Sequence, residues 1–481
     1  MKRVSGVFVA LVLLLAVVIV ARASRFTHRQ VQPAPAETLA IDSIGAVGRL
    51  ARAIRVPTVS VEDSTRWDSL PLIELHRLLD QAFPHVHAGL SREVVNGSLL
   101  YTWRGADSSL PGLLLAGHLD VVPADSAKWS HPPFSGVIAN GYLWGRGALD
   151  DKVGVLGILE AVESLLGRGF QPARTVYLAF GGDEELGGRR GAAQIAARLR
   201  QRGVQLEAVI DEGGAILDGI VPGVSVPVAT VGVAEKGSLS LALVAQVPGG
   251  HSSMPPARTA IGLVSRAVTR LERDQFPASL RPSRGLFEAV GPEMAWPYRV
   301  LFANLWVFEP LLLRRLTAVP STAAAVRTTI APTIVEGGDK DNVLPGRASA
   351  VVNLRILPGE TVRGTVDRVR RVVDDSSVTI SVLGDSAEPS AVSPADAAPF
   401  LALAGAIRQI HPDAVVAPYL VLGATDARHY APFTPNVYRF LPAHLASEDL
   451  ERLHGVDERI AVGDYLNAVR VYAQIIRGLA R

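Results

Sequence analysis

The sequence predicts an α/β protein in which a mainly parallel sheet, covered on both faces, is interrupted by an inserted α+β unit. Three observations predict it. Short apolar runs of strand length alternate with helical patterns from about residue 41 onward. The alternation gives way near Gly237 to a strand–helix–strand–strand–helix–strand order. Helix and strand patterns of the first kind then resume from Ala397 to the end. Strands alternating with helices imply parallel pairing, because the crossover helices must cover the sheet faces.

The elements follow in chain order. Lys2 and Arg3 precede an uninterrupted apolar run from Val7 to Ala21, and Arg22-Ala23-Ser24 follows it. A basic start, an apolar core and an Ala21-Arg22-Ala23 triplet predict a signal peptide or N-terminal anchor over 1–23. An anchor would need about 20 apolar residues to cross a bilayer. Residues 24–40, with Pro33 and Pro35, read as a linker. Leu113–Ala116 reads as a buried strand, and Val155, Ile158, Leu159, Val162, Leu165 and Leu166 line one face of a helix. Val176–Phe180 is the next strand, Gly191–Arg200 the next helix and Ala208–Ile210 another buried strand.

In the inserted unit, spanning 237–395, strands are predicted over Leu239–Val247, Thr328–Val335, Ala348–Ile356 and Val378–Leu383. Helices are predicted over Thr259–Leu271 and Thr361–Val373. Their order is that of a ferredoxin-like sandwich. The flanking stretches 41–236 and 396–481 then form one principal domain. The apolar stretch Pro277–Thr322 fits neither pattern. Its Trp296, Phe302, Trp306, Phe308 and Leu311–Leu313 suit core packing of the inserted unit, an apolar groove or a membrane contact.

Bulk properties exclude some functions. With 48% apolar and 20% charged residues, the composition is that of a globular chain. A net charge of +2 offers no polyanion-binding field, so nucleic acid is not an expected partner. There is no cysteine, which removes disulfides, a thiol nucleophile and thiolate ligands together. Any metal site must therefore be built from His, Asp and Glu, the ligands of catalytic zinc.

Those residue types gather at the predicted strand ends. Gly117-His118-Leu119-Asp120 follows the first buried strand, Asp183-Glu184-Glu185 the next, and Asp211-Glu212-Gly213-Gly214 the third. Gly145–Lys152 carries Asp150-Asp151 at a helix start, and His454-Gly455 stands near the C-terminus. Each alone also fits a satisfied structural histidine or a solvated acidic loop. Together they are more specific, because a parallel sheet converges the carboxyl ends of its strands. Two histidines and several carboxylates match a pair of divalent ions, with zinc the first expectation.

These motifs resemble those of the aminoacylase and carboxypeptidase S group of di-zinc metallopeptidases, most closely its secreted N-fatty-acyl-amino-acid synthase/hydrolase branch. The resemblance runs from about residue 45 to the end. It rests also on Pro132–Gly136, Glu235-Lys236-Gly237, Gly250-His251-Ser252-Ser253, Asn342-Val343-Leu344-Pro345 and His454-Gly455-Val456. It implies a zinc-hydrolase domain with an inserted lid, and two Zn2+ or other divalent ions. His118 and either Asp211 or Glu212 would hold one ion, Glu185 and His454 the other, and Asp150 would bridge them. Asp120 would orient His118, and Glu184 would be the general base for a hydroxide shared by the ions. His251 would reach the reacting carbonyl, Arg355 would clamp a substrate carboxylate, and Asn342, Thr425 and Asp426 would line the substrate site. Ala424 departs from the Asn expected in that last loop.

The activity implied is cleavage of the amide bond of an N-acyl amino acid or short peptide next to a free carboxylate. Carboxypeptidase action on short peptides is the alternative, and a catalytically silent binding protein of the same fold is a third. The enzyme would be exported, with possible membrane anchoring through residues 7–21. A homodimer through the lid is possible on the same analogy.

Overall fold

The structure, a computed structural model, describes residues 2–62 and 68–481, without the side chains of Lys2–Ser5. The strand Gly112–His118 is buried along its whole length inside a ten-stranded sheet. Val176–Gly181 lies parallel on one side of it and Leu206–Asp211 parallel on the other. Val437–Arg439 continues the parallel order beyond Leu206–Asp211. Antiparallel strands Ser98–Trp103 and Ser91–Val95 close one edge. The sheet is thus mixed at its margins and parallel at its centre.

Side-chain alternation explains the central burial. Leu113 and Leu115 point into the core shared with the helix Lys152–Leu166, while Leu114 and Ala116 face the helix Ala192–Gln201. A strand covered on both faces needs an unbroken apolar run, and this one has it. The helices Ala398–Ile410 and Val462–Leu479 pack on the same face as Lys152–Leu166, so the C-terminal stretch completes the first core.

Between Glu235 and Gly237 the chain crosses from this sheet to a second one. There the strand order is Thr329–Glu336, Arg347–Ile356, Gly237–Gln246, Val378–Ala387, all antiparallel. That is the ferredoxin-like order. The helices Ala260–Arg273 and Val362–Val373 cover one face and bury Leu239, Leu241, Leu243, Val352, Leu354 and Ile356. Thr259 and Thr361 cap these helices by accepting from the backbone of Gly262 and Gly364, as a first-turn threonine should. Truncating Leu354, which is fully buried, is expected to destabilise the inserted unit by about 2–5 kcal/mol. Native-state hydrogen exchange of Leu354→Ala would show this as lost protection across the four strands.

The stretch without a sequence pattern is helical. It forms short helices, chiefly Trp296–Ala303 and Leu305–Leu316, between Ala260–Arg273 and Thr329–Glu336. Phe302, Leu305 and Leu312 are buried, but in a satellite cluster with Leu280 and Val326 and outside the core of the inserted sheet. Core packing of the inserted unit therefore accounts for only part of its apolar residues, since Trp296 and Trp306 stay exposed.

Lys2–Ser24 is one helix, of which Gly6–Ser24 has the length and hydropathy of a membrane span. The linker has no regular structure, yet it is laid along the larger unit. The Gln30 side chain donates to the Val416 carbonyl and accepts from its N–H, at 3.0 and 2.9 Å. Leu39 is buried in the main core.

Candidate active site

Parallel register brings the chemistry to one rim. His118 ends its strand opposite Gly181, and Leu115 of that strand lies opposite Ile210. The turns that follow, Asp183–Glu185 and Asp211–Gly213, therefore emerge beside His118. Asp150 arrives from the loop before the helix Lys152–Leu166, and a cis peptide joins it to Asp151. His454 arrives from the C-terminal loop, with a left-handed φ of 57°.

Asp150 is the hinge of the arrangement. One of its oxygens lies 2.8 Å from His118 Nε2 and the other 2.9 Å from His454 Nε2. Glu185 Oε2 lies 3.4 Å from the same His454 nitrogen. On the far side of the His118 ring, Nδ1 is 2.9 Å from the Asp120 backbone carbonyl and 3.6 Å from its carboxylate. The Asp120 carboxylate is engaged elsewhere. It accepts from the backbone of Glu184 and Glu185 at 3.1 and 3.2 Å and from the Ser60 hydroxyl at 2.6 Å. Asp120 thus fixes the turn that carries Glu184 and Glu185, and holds the His118 ring mainly through its carbonyl.

The electrostatics are those of a basin of carboxylates. Burial raises the Glu184 carboxyl well above its ordinary range; His118 opposes this, while Asp426, Asp150 and Asp120 add to it. Burial does the same for Glu212, with Asp150, Asp211 and Glu184 adding to it. Asp150 is the exception. Burial opposes its charge, but hydrogen bonds from both histidines hold it below the usual carboxylate range. His454, bonded to Asp150 and Glu185, is raised to about 10. For His118, burial opposes the proton, and the Asp120 and Asp150 carboxylates outweigh it.

Such a site fits divalent cations. Donor atoms of His118, Asp150 and Glu185 lie within 4.8 Å of one another. Glu185 Oε1 and Asp211 Oδ2 are buried without a hydrogen-bond partner, a costly state that a cation relieves. The donors are imidazole nitrogens and carboxylate oxygens, which suit zinc and its borderline neighbours.

The structure places the remaining predicted residues in two groups. Thr425 and Asp426 are buried, and the Thr425 hydroxyl and N–H both donate to Glu235 Oε1. They lie in the wall behind the carboxylates, not on a surface open to substrate. His251 and Asn342 come together on a two-stranded ribbon of the inserted unit, where Ser252 N–H donates to the Asn342 carbonyl at 3.1 Å. His251 is exposed and its Nδ1 pairs with the Ser253 hydroxyl at 2.8 Å. Arg355 is half-buried on the face of the inserted sheet opposite its helices. Among the described residues, no hydrogen bond links His251, Asn342 or Arg355 to the His118 cluster.

Residues without an assigned role complete the site. The Arg146 guanidinium pairs with Glu458 at 2.6 Å, both buried, and donates to the carbonyls of His454 and Gly455 at 3.2 and 2.9 Å. The other Glu458 oxygen accepts from the backbone of Gly147, Leu149 and Asp150 at 3.0, 2.7 and 3.1 Å. One ion pair therefore positions both Asp150 and His454. Arg146 stands within the Gly145–Lys152 motif and Glu458 just after His454-Gly455-Val456, but 312 positions separate them, and nothing local pairs them.

Residues 114–478 match the model of peptidase family M20/M25/M40. The chain is 44% identical over 443 residues to a probable carboxypeptidase S-like protein of Dictyostelium discoideum, covering 91% of this chain and 85% of that one. It is 42% identical over 437 residues to an N-fatty-acyl-amino acid synthase/hydrolase of Xenopus tropicalis, with 90% and 85% covered. Its fold matches the M20 family metallo-carboxypeptidase Sso-CP2 of Sulfolobus solfataricus with a TM-score of 0.68 at 16% identity, covering 90% of this chain and 99% of that one. It also matches human carnosine dipeptidase 1 with a TM-score of 0.64 at 17% identity, over 91% and 96% of the two chains. With a parallel-sheet domain, an inserted ferredoxin-like lid and a rim of histidines and carboxylates, the chain belongs to the M20/M25/M40 family of peptidases and is a metallopeptidase or amidohydrolase of that kind.

Proposed function

We propose that this hydrolase carries two zinc ions and cleaves the amide bond of N-acyl amino acids next to their free carboxylate. The observation that carries the metal reading is Asp150, which offers one oxygen to each histidine. In this reading His118 and either Asp211 or Glu212 would hold one ion, and Glu185 and His454 the other. Asp211 offers a buried oxygen without a hydrogen-bond partner, and Glu212 a carboxyl raised by burial and by Asp150, Asp211 and Glu184. Bound zinc supplies Lewis acidity and acidifies a water to near neutrality.

The chain's own groups do the rest. Glu184, fixed through its backbone by Asp120, takes a proton from the attacking water and returns it to the leaving nitrogen. Arg355 binds the substrate carboxylate through its planar fork. His251 and Asn342 reach the scissile group when the lid approaches. The apolar helical span Gly6–Ser24, mostly exposed, supports export, as signal or as anchor.

The substrate reading is supported by the 42% identity to an N-fatty-acyl-amino acid synthase/hydrolase. Identity of 44% to a probable carboxypeptidase favours short peptides as the second reading. Stripping and reloading the purified chain decides both questions. Two equivalents of zinc are expected by elemental analysis, with hydrolysis lost on chelation and restored on reloading. N-palmitoyl, N-acetyl and unblocked dipeptide forms of one amino acid are then compared. Cleavage of the palmitoyl form above the others supports the proposal, and preference for the dipeptide replaces it with the carboxypeptidase.

A further inference from the structure

Among the described residues, the N-terminal helix is held to the body by its last turns. Phe8, Leu13 and Val17 are more than half exposed, while Ala23 is fully buried. Those last turns are fastened to the helical stretch inserted in the lid. Arg22 Nε donates to the Ala303 carbonyl at 3.2 Å, and the buried Asn304 side chain donates to the Ile19 carbonyl at 3.0 Å. An apolar helix projecting bare from a folded body is hidden from water by a bilayer. Where the chain keeps this helix as an anchor, the body meets the bilayer at the place where the helix joins it.

That junction carries the side chains such a boundary demands. Trp296, Tyr298, Trp306 and Leu311 are 46, 54, 56 and 51% exposed on the helices Trp296–Ala303 and Leu305–Leu316. Tryptophan and tyrosine settle at headgroup depth, with the ring in the apolar zone and the polar edge in water. The charge agrees. Residues 22–30 and 277–327 hold nine arginines against three glutamates, although the whole chain carries only +2. A cavity of about 670 Å3 opens at the same place, lined by Arg22, Arg25, Phe26, Leu305 and Trp306 among others. Guanidinium groups beside apolar walls suit an anionic amphiphile.

We propose that the helices Trp296–Ala303 and Leu305–Leu316 seat the enzyme on an anionic bilayer crossed by its N-terminal helix, with Trp296, Tyr298, Trp306 and Leu311 at headgroup depth. This holds whatever amide the active site cleaves. The lid would then stand at the lipid surface, where amphiphilic substrates are concentrated.

The absence of cysteine makes the test clean, since each introduced thiol is the sole label site. Full-length Trp296→Cys, Leu311→Cys and Val94→Cys are labelled with a nitroxide and reconstituted in vesicles of phosphatidylcholine and phosphatidylglycerol. Val94, exposed on an edge strand of the principal sheet, is the water-facing control. Accessibility to oxygen is expected to exceed accessibility to a polar nickel chelate several-fold at 296 and 311, and to fall below it at 94. Labels at 296 and 311 that match the one at 94 overturn the proposal. So does dipolar coupling between copies at 296 and 311 without oxygen access, which would make the face a contact with a second chain.

Discussion

Glu184→Gln is expected to lower kcat by roughly 10²–10⁴-fold while leaving the bound metal and the fold in place. The amide keeps the size of the carboxylate but cannot accept a proton from water. The Glu184 N–H bond to Asp120 belongs to the backbone, so the substitution leaves the turn closed. Glu185, the neighbour that faces His454, is untouched. Elemental analysis of the variant should give the same zinc content as the parent, and KM should change far less than kcat. A variant retaining most of its kcat would remove Glu184 from proton transfer and send the search for a base to the other carboxylates of the basin.

Arg146→Met is expected to have the largest effect on stability, about 3–5 kcal/mol. It leaves Glu458 buried without its cation, and burial already pushes that carboxyl up against the pull of Arg146. The damage should reach the metal. Glu458 holds the backbone of Gly147, Leu149 and Asp150, and Arg146 holds the carbonyls of His454 and Gly455. Groups that orient metal ligands commonly contribute 10–100-fold to affinity, so zinc affinity should fall within about that range. The double variant Arg146→Met/Glu458→Gln separates the causes. It removes the stranded charge, so its denaturant midpoint should recover part of the loss, while zinc affinity stays low because the two loops remain untied. If both variants bind zinc like the parent, the ion pair serves the fold alone.

Much of the fold could be read before any coordinates. Leu113–Ala116, Val176–Phe180 and Ala208–Ile210 are apolar at every position, which fits a strand buried on both faces, and all three are such strands. The inserted unit was equally legible. Leu239, Leu241 and Leu243 recur with the period of a half-buried strand, and Thr259 and Thr361 mark helix starts. Pro277–Thr322 resisted reading because its helices are short and several begin with proline, so no apolar stripe runs long enough to declare a period. Thr425 and Asp426 are expected at the substrate site from the family resemblance alone, and no local pattern in the sequence tells that both side chains are buried. Thr425 is held inward by Glu235, which lies 190 positions away.

The sequence by itself determined the chemistry available to this protein. Without cysteine, with His118 and acidic pairs following its buried strands, it holds donors for hard and borderline cations and for little else. It also determined the two sheets, because hydrophobic period and capping are local properties. Only the tertiary structure decided which donors meet. His118 and His454 share the Asp150 carboxylate because parallel register aligns strand ends and the Arg146–Glu458 pair ties two distant loops. It also decided that the exposed tryptophans of the lid stand beside the N-terminal helix. Such choices rest on contacts between segments hundreds of residues apart, where no local pattern carries the information, and the energy of the whole packed fold selects the pairing.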